Sequence, residues 1–258
     1  MGSSADTEGF DLPYAFDLRG GVVTIDGPGV SLSGTSNLVT QTTFQTNYDF
    51  EITGEIGGNS GGLVKNGDAV MSLAVDQTYA GFTRINEGVL LVNAGLGGND
   101  VLVNNGGTLG GHGDIASTIE ARSGGVVAPG SSTGTLTAGA AEFQDGSTLN
   151  LELLSISDFD RLLIDGSITV APGALLEITL LDGYMPSVGD QFDVLDFAQF
   201  NGEFDSFLTP TLSEGSWDFS ELSSTGVLRV TAVPEPGTLV LFTLCGAALA
   251  IRRRRTQV

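Results

Sequence analysis

The stretch that decides the fold lies between residues 61 and 93 and reads GGLVKNGDAVMSLAVDQTYAGFTRINEGVLLVN. Short apolar runs such as GDAVMSL and GVLLVN alternate in it with corners of glycine, asparagine and aspartate. Alternation with a period of two residues is typical of half-buried strands, and these runs are too short for helices. The stretch therefore predicts short strands separated by tight turns.

Such corners recur along the chain at a nearly constant step. Strand-opening glycines stand at separations of 21, 19, 18 and 21 residues, at Gly67, Gly88, Gly107, Gly125 and Gly146. A repeat of about 20 residues is typical of a β-helix, since each coil must close in cross-section before the next one stacks on it. With coils about 4.8 Å apart, about ten of them would form a rod on the order of 50 Å long.

The rest of residues 20–232 shows the same alternating runs and no helical period longer than two turns. We therefore predict an all-β fold, a single-stranded right-handed parallel β-helix (β-solenoid) over residues 21–205. A sandwich with strands every 8 to 12 residues or so is an alternative that the period does not exclude. The 38 glycines and only 8 prolines favour the narrow corners of a solenoid.

Residues 61–93 also resemble the autotransporter-associated β-strand repeat. The resemblance lies in the Gly-Gly-Leu-x-Lys-x-Gly opening, the turn at Tyr79 and Gly81, and the closing Asn-x-Gly-x-Leu-x-Val-Asn. Later segments, such as GGTLGGHGDIASTIEARSGGVVAPG and DFDRLLIDGSITV, resemble further coils of such passenger β-helices, so the likeness covers roughly residues 50–205. No outer-membrane barrel follows, so the resemblance implies the passenger fold without the translocator.

Charge divides the chain into two unlike parts. The formal net charge is −21, yet four of the ten basic residues form the run Arg252 to Arg255, which leaves 31 acidic residues against 6 basic ones before it. So acidic a body repels phosphate backbones, which excludes nucleic acid as a partner. One cysteine and one histidine exclude disulfide frameworks and the usual zinc sites, and we expect no cofactor and no metal.

The C-terminal segment reads as a membrane helix with a basic stop. No charged residue occurs between Gly237 and Ile251, a run of 15 residues that Pro236 precedes and the four arginines follow. A spanning helix needs about 20 apolar residues, so the flanks would have to contribute. The positive-inside rule keeps Arg252, Arg253, Arg254 and Arg255 in the cytoplasm and places the acidic body across the membrane.

Val233, Pro234, Glu235 and Pro236, followed by this helix and the arginine cluster, resemble the PEP-CTERM sorting signal of Gram-negative bacteria. The resemblance implies that the helix holds the protein in the inner membrane until an exosortase-type membrane protease acts near the Pro-Glu-Pro motif. An exported protein is expected to begin with a basic and then an apolar leader region, and residues 1–20 have neither. We expect that a leader is missing from this sequence.

Three local patterns are similar to catalytic or metal-binding motifs. GGNSGGLV at 57–64 is similar to the nucleophile loop of trypsin-like proteases, but the sole histidine, His112, follows Ser60 by 52 residues, whereas in those enzymes it precedes the serine. GLGGNDVLV at 95–103 nearly matches the calcium nonapeptide of RTX β-rolls, with Leu96 in place of a glycine. One copy of that motif cannot complete the six to eight oxygen ligands that calcium takes.

Carboxylate pairs are the third pattern, and some β-helices hydrolyse polysaccharide with such groups. Because the chain holds 31 acidic residues, we interpret the pairs as a solvated face. They are Asp158 with Asp160, Asp190 with Asp193, and Asp193 with Asp196. We therefore predict no catalytic residues and a protein that is not an enzyme.

Together these features predict four segments: 1–20, the β-helix 21–205, terminal strands or linker 206–232, and the sorting signal 233–258. The predicted function is structural or adhesive, among exopolysaccharide. After a transient stay in the inner membrane, the body is expected in the periplasm, at the cell surface or in the extracellular matrix. A polysaccharide-active or polysaccharide-binding β-helix is the alternative.

Overall fold

A computed structural model describes residues 10–233, and short strands recur along this whole range. Helical structure within these residues is confined to a single turn, Leu222–Thr225. The elements in chain order are β1 (Phe10–Leu12), β2 (Asp17–Leu18), β3 (Gly21–Ile25), β4 (Val30–Leu32), β5 (Ser36–Leu38), β6 (Thr42–Thr46), β7 (Phe50–Ile52), β8 (Ile56–Gly57), β9 (Leu63–Asn66), β10 (Val70–Leu73), β11 (Thr83–Ile85), β12 (Gly88–Val92), β13 (Gly95–Leu96), β14 (Val101–Val103), β15 (Gly107–Gly110), β16 (Asp114–Ala121), β17 (Val126–Val127), β18 (Thr135–Phe143), β19 (Thr148–Ser155), β20 (Asp158–Phe159), β21 (Arg161–Val170), β22 (Leu175–Leu180), β23 (Gln191–Asp193), β24 (Leu195–Gly202), β25 (Ser206–Leu208), β26 (Ser216–Asp218), α1 (Leu222–Thr225) and β27 (Val227–Thr231).

Parallel stacking of successive coils is the organising feature. The first sheet has the order β1-β4-β7-β10-β12-β15-β17-β19-β22-β25, and the second runs β3-β6-β9-β11-β14-β16-β18-β21-β24. Each coil thus gives one strand to each sheet, and β2, β5 and β8 form the start of a third side. The all-β prediction is confirmed. Parallel sheets built from successive coils in this way are consistent with a β-solenoid.

Apolar side chains stack along the axis because the register between coils is kept. In the first sheet, residues at one inward position pair in succession from coil to coil and are all buried: Phe50, Met71, Leu90, Leu109, Val127, Leu149 and Leu176. A slip of one residue would turn this whole row toward water, so the pattern fixes the register.

Polar side chains line one corner between the second and first sheets. Asn86 donates from Nδ2 to Oδ1 of Asn66 at 2.9 Å and accepts at Oδ1 from Nδ2 of Asn104 at 2.7 Å. The buried Lys65 at this corner donates from Nζ to the carbonyl oxygens of Gly67 at 2.6 Å and Glu87 at 3.0 Å, and more weakly to that of its neighbour Asn66. Burial lowers the pKa of Lys65 to about 8, although nearby carboxylates, first Glu87, act in the opposite direction.

Glycines shape the same corner. Positive φ occurs at Gly88, Gly106, Gly124 and Gly146. The amide of each of these glycines donates to the carbonyl oxygen of the next one along the axis, and the series ends with the bond from Gly146 to Gly173. Among the expected corner positions, Gly67, Gly88 and Gly146 have positive φ. At two corners the positive-φ residue is Gly106 or Gly124, one residue before the expected Gly107 and Gly125, because each is the first glycine of a Gly-Gly pair.

An antiparallel sheet closes the C-terminal end of the stack. It has the order β23-β27-β26, with Leu228 and Val230 of its central strand buried. Phe192 of β23 packs edge to face against Phe159 at 5.4 Å and Tyr184 at 6.4 Å. The last strand of the first sheet, β25, lies just beyond residue 205, within the segment predicted as terminal strands or linker.

No helix within residues 10–233 is long and apolar enough to cross a membrane. The predicted membrane helix, residues 237–251, lies outside the described residues.

Candidate functional sites

Ser60 and His112, the residues of the protease-like pattern, lie on different corners of the stack. Ser60 is exposed before β9, where its Oγ donates to the carbonyl of Val39 at 3.1 Å. His112 is exposed between β15 and β16. Three steps of the second sheet separate β9 from β16, or about 14 Å along the axis. The structure does not bring Ser60 and His112 together as a nucleophile and its base.

The calcium-like segment is built into the coil. Leu96, which replaces the glycine of the motif, is buried in the core. The carboxylate of Asp100 accepts at Oδ1 from the amide of Thr118 at 3.2 Å, a contact between coils. Within residues 10–233, no group of three or more His, Cys, Asp or Glu side chains is placed to hold a metal ion.

Asp158 and Asp160 do not share a face, because β20 ends at Phe159 and Asp160 lies outside that strand. Asp158 is exposed, whereas Asp160 is fully buried and accepts from the amides of Gly134 at 2.9 Å and Glu152 at 2.8 Å. Burial raises the pKa of Asp160 to about 8, and the two amide donors oppose that rise. Its role in the structure is to join the loop before β18 to strand β19.

The other carboxylate pairs have separate partners. Asp193 forms an ion pair with Arg161 at 2.8 Å, and Asp190 accepts from the amide of Ser187 at 2.8 Å. Asp196 instead lines a groove of about 320 Å³ on the outer side of the second sheet, together with Asp165 and Phe197. Sequence reasoning missed Asp165, since its closeness to Asp196 comes from the pairing of β21 with β24.

The sorting motif begins where the terminal sheet ends. Thr231 is the last residue of β27 and pairs with Ser216, and two residues later Val233 is 58% exposed. Pro234, Glu235, Pro236 and the four arginines from Arg252 to Arg255 lie outside the described residues. The tail therefore leaves the folded body from the central strand of its terminal sheet.

Fold and tail together define an all-β protein of stacked parallel strands that carries a C-terminal sorting motif. Residues 232–255 match the family described as PEP-CTERM protein-sorting motif, which confirms that part of the sequence prediction. Motifs of this kind indicate export and surface sorting in Gram-negative bacteria, and they are generally exosortase substrates.

The chain is also similar to a curated protein named extracellular serine protease, from Serratia marcescens. The two are 33% identical over 153 residues, which is 58% of this chain and 14% of that protein. Because the match spans so small a share of the relative, its activity does not transfer to this chain. The resemblance to the autotransporter-associated repeat stays a prediction.

Proposed function

We propose that this protein is a non-enzymatic, exported β-solenoid with a structural or adhesive role at the cell surface or in the extracellular matrix. Its coils would be those of a right-handed, single-stranded β-helix of the autotransporter-associated type. The right hand is supported by the strong preference of parallel crossover connections for that hand. The single observation that carries the function is the match of residues 232–255 to the sorting motif.

The junction of body and tail supports this proposal. Only Ala232 and Val233 separate β27 from the Pro-Glu-Pro motif. The chain from Thr231 to the start of the apolar run at Gly237 spans about 20 Å when extended. If that run lies in the inner membrane, the terminal sheet faces the membrane and the stack extends away from it. An exosortase-type protease would then cut close to the folded body and release it intact.

Replacement of both prolines of the motif tests sorting directly. We expect that the double variant Pro234→Ala, Pro236→Ala in the full chain abolishes removal of the tail. The intact mass of the protein recovered from the membrane fraction measures this removal. The matched control is Pro210→Ala, which removes a proline from the body instead. Equal processing of the motif variant and the control would contradict the proposal.

Polysaccharide binding is a second candidate function, and the groove of the second sheet favours it. Asp165 and Asp196 both line this groove, and carboxylate oxygens accept hydrogen bonds from sugar hydroxyl groups. Glycan-array binding that Asp196→Asn reduces at least tenfold would support it. Unchanged binding, or no binding by the parent protein, would count against it. Release of soluble fragments from a bound glycan would further assign hydrolysis.

A further inference from the structure

A groove of about 410 Å³ lies on the outer side of the first sheet. Its floor consists of small and apolar residues of three successive strands, among them Val70 of β10, Leu91 of β12 and Gly110 of β15. A Cβ on Gly110 would lie 3.0 Å from the carbonyl oxygen of Gly130, so glycine here leaves room for the opposite wall. Volume and lining are those of a small-molecule site, which is mostly apolar with few polar groups.

The wall of the groove is a loop that the coil itself does not need. Seven residues, 128–134, connect β17 to β18, whereas three residues make the same connection between β15 and β16 one coil earlier. Gly130 exchanges backbone hydrogen bonds with Gly111 at 2.6 and 2.7 Å. The buried carboxylate of Asp160 accepts from Gly134 at the other end of the loop. The wall is therefore fixed at both ends, as a preformed site requires.

One free carboxylate faces this groove. Glu152 lies between the buried Leu151 and Leu153 on β19, so its side chain points outward, and it lines the groove. Among the described residues, none of the four ion pairs and no side-chain hydrogen bond uses that carboxylate. Within the same part of the chain, no lysine or arginine lines the groove, and no aromatic ring offers a platform for a sugar.

We propose that this groove binds an organic cation, namely a primary ammonium group on an apolar stem. The stem would lie on the floor at Val89 and Leu91, and the ammonium group would donate to the carboxylate of Glu152. A free alkylamine and a lysine side chain of a peptide share this chemistry. The strongly acidic body favours either cation over a neutral or anionic ligand of the same shape.

The test compares three probes of equal chain length, namely hexylamine, hexanol and hexanoate, by titration into the full-length protein at low salt. We expect that hexylamine binds at least tenfold more tightly than the other two. In Glu152→Gln this preference should fall about tenfold, because the charge is lost while the shape is kept. The matched control is Glu177→Gln, on the outer side of the neighbouring strand β22 and outside the groove, which should keep the preference.

An amidated, acetylated Leu-Lys-Leu tripeptide distinguishes the source of the cation. Tighter binding of this peptide than of hexylamine assigns a protein ligand, and the reverse assigns a free amine. Equal affinity for the three hexyl probes, no binding of hexylamine, or a preference that Glu152→Gln leaves unchanged would each overturn the proposal. Because the comparison of probes uses the parent protein, a variant that fails to fold does not remove the test.

Discussion

Side-chain ladders between coils fix the corners residue by residue. Asn86 both donates to Asn66 and accepts from Asn104, so its amide group closes two hydrogen bonds at a half-buried position. We expect that Asn86→Ala lowers the free energy of unfolding by about 1 to 3 kcal/mol, since both partners lose a hydrogen bond without a substitute. Urea unfolding measures this change.

The matched control for that ladder is Asn99→Ala. Asn99 is exposed, and its side chain makes no hydrogen bond among the described residues. Its replacement should change the free energy of unfolding by less than about 0.5 kcal/mol. If Asn86→Ala and Asn99→Ala cost the same, the ladder does not stabilise the corner.

Burial of Asp160 should make the free energy of unfolding depend on pH. Burial raises its pKa in the folded state to about 8, above the ordinary value of 3.8. Between about pH 4 and pH 8 the folded state therefore binds more protons than the unfolded state, so this group's contribution to stability falls as the pH rises through that window. Asp160→Asn should remove that part of the slope, as urea unfolding at pH 5, 6.5 and 8 would show.

Other carboxylates also titrate, so the slope needs a reference. Asp114→Asn removes an exposed carboxylate whose side chain makes no hydrogen bond among the described residues, so it serves as the reference for the loss of a surface charge. The same slope in Asp160→Asn and in the parent protein would refute the role given to burial at this residue.

Corners set the spacing of the coils at the scale of the elements. Gly88 has a φ of +64°, and a Cβ there would lie 2.4 Å from the carbonyl oxygen of Gly67. We expect that Gly88→Ala costs more than about 2 kcal/mol, because backbone strain and a clash between coils add. Thermal and urea unfolding would both report it.

Gly183→Ala separates strain from clash. Gly183 has a φ of +74°, but no atom of residues 10–233 beyond its chain neighbours would lie within 4 Å of a Cβ added there. This variant should cost about 1 to 2 kcal/mol from backbone strain alone. An equal loss in the two variants would mean that close stacking of coils at Gly88 contributes nothing.

The terminal sheet is the second element with a testable role. A chain that ends after Val233 keeps β27, and we expect it to melt at the same temperature as the full chain. A chain that ends after Gly226 loses the buried Leu228 and Val230 and uncovers Phe192, so its melting temperature should fall by roughly 10 °C. Scanning calorimetry of the two truncated chains decides the point. Equal melting temperatures would show that the sheet does not close the stack.

The strands and coils could be predicted from the sequence because the patterns that form them lie within a few neighbouring residues. Period-two alternation and recurring glycines were enough to predict stacked coils, and the expected strand-opening residues Gly88 and Gly107 are the first residues of β12 and β15. Alternation does not show whether a strand pairs with a parallel or an antiparallel neighbour. The segment that contains β26 and β27 was therefore predicted only as terminal strands or linker, and the antiparallel sheet that they form with β23 was not predicted. Burial of Lys65 likewise depends on carbonyl groups from two coils.

The candidate sites were less accessible to sequence reasoning for the same physical reason. Asp158 and Asp160 are two residues apart, yet one is exposed and one is buried, because strand β20 ends at Phe159, between them. Asp165 and Asp196 are 31 residues apart in the sequence and line one groove. The sorting motif of the tail could be identified from the sequence because it is continuous, and residues 232–255 match the PEP-CTERM protein-sorting motif.

At the scale of the whole molecule, charge and fold divide the chain at the same point. The acidic body ends with the terminal sheet, and residues 232–255, with all four consecutive arginines, form the sorting motif. This arrangement suits a body that crosses the inner membrane and a basic end that stays behind, as the positive-inside rule requires. We therefore propose that the body reaches the surface through this tail.

Intact mass of the surface-exposed protein, in a Gram-negative host with and without its exosortase gene, tests that claim most directly. We predict a surface form without Arg252 to Arg255 in the host that has the gene. In the host that lacks the gene, we predict a full-length form held in the inner membrane. Full-length protein in the cytoplasm of both hosts, with the arginines retained, would contradict the account.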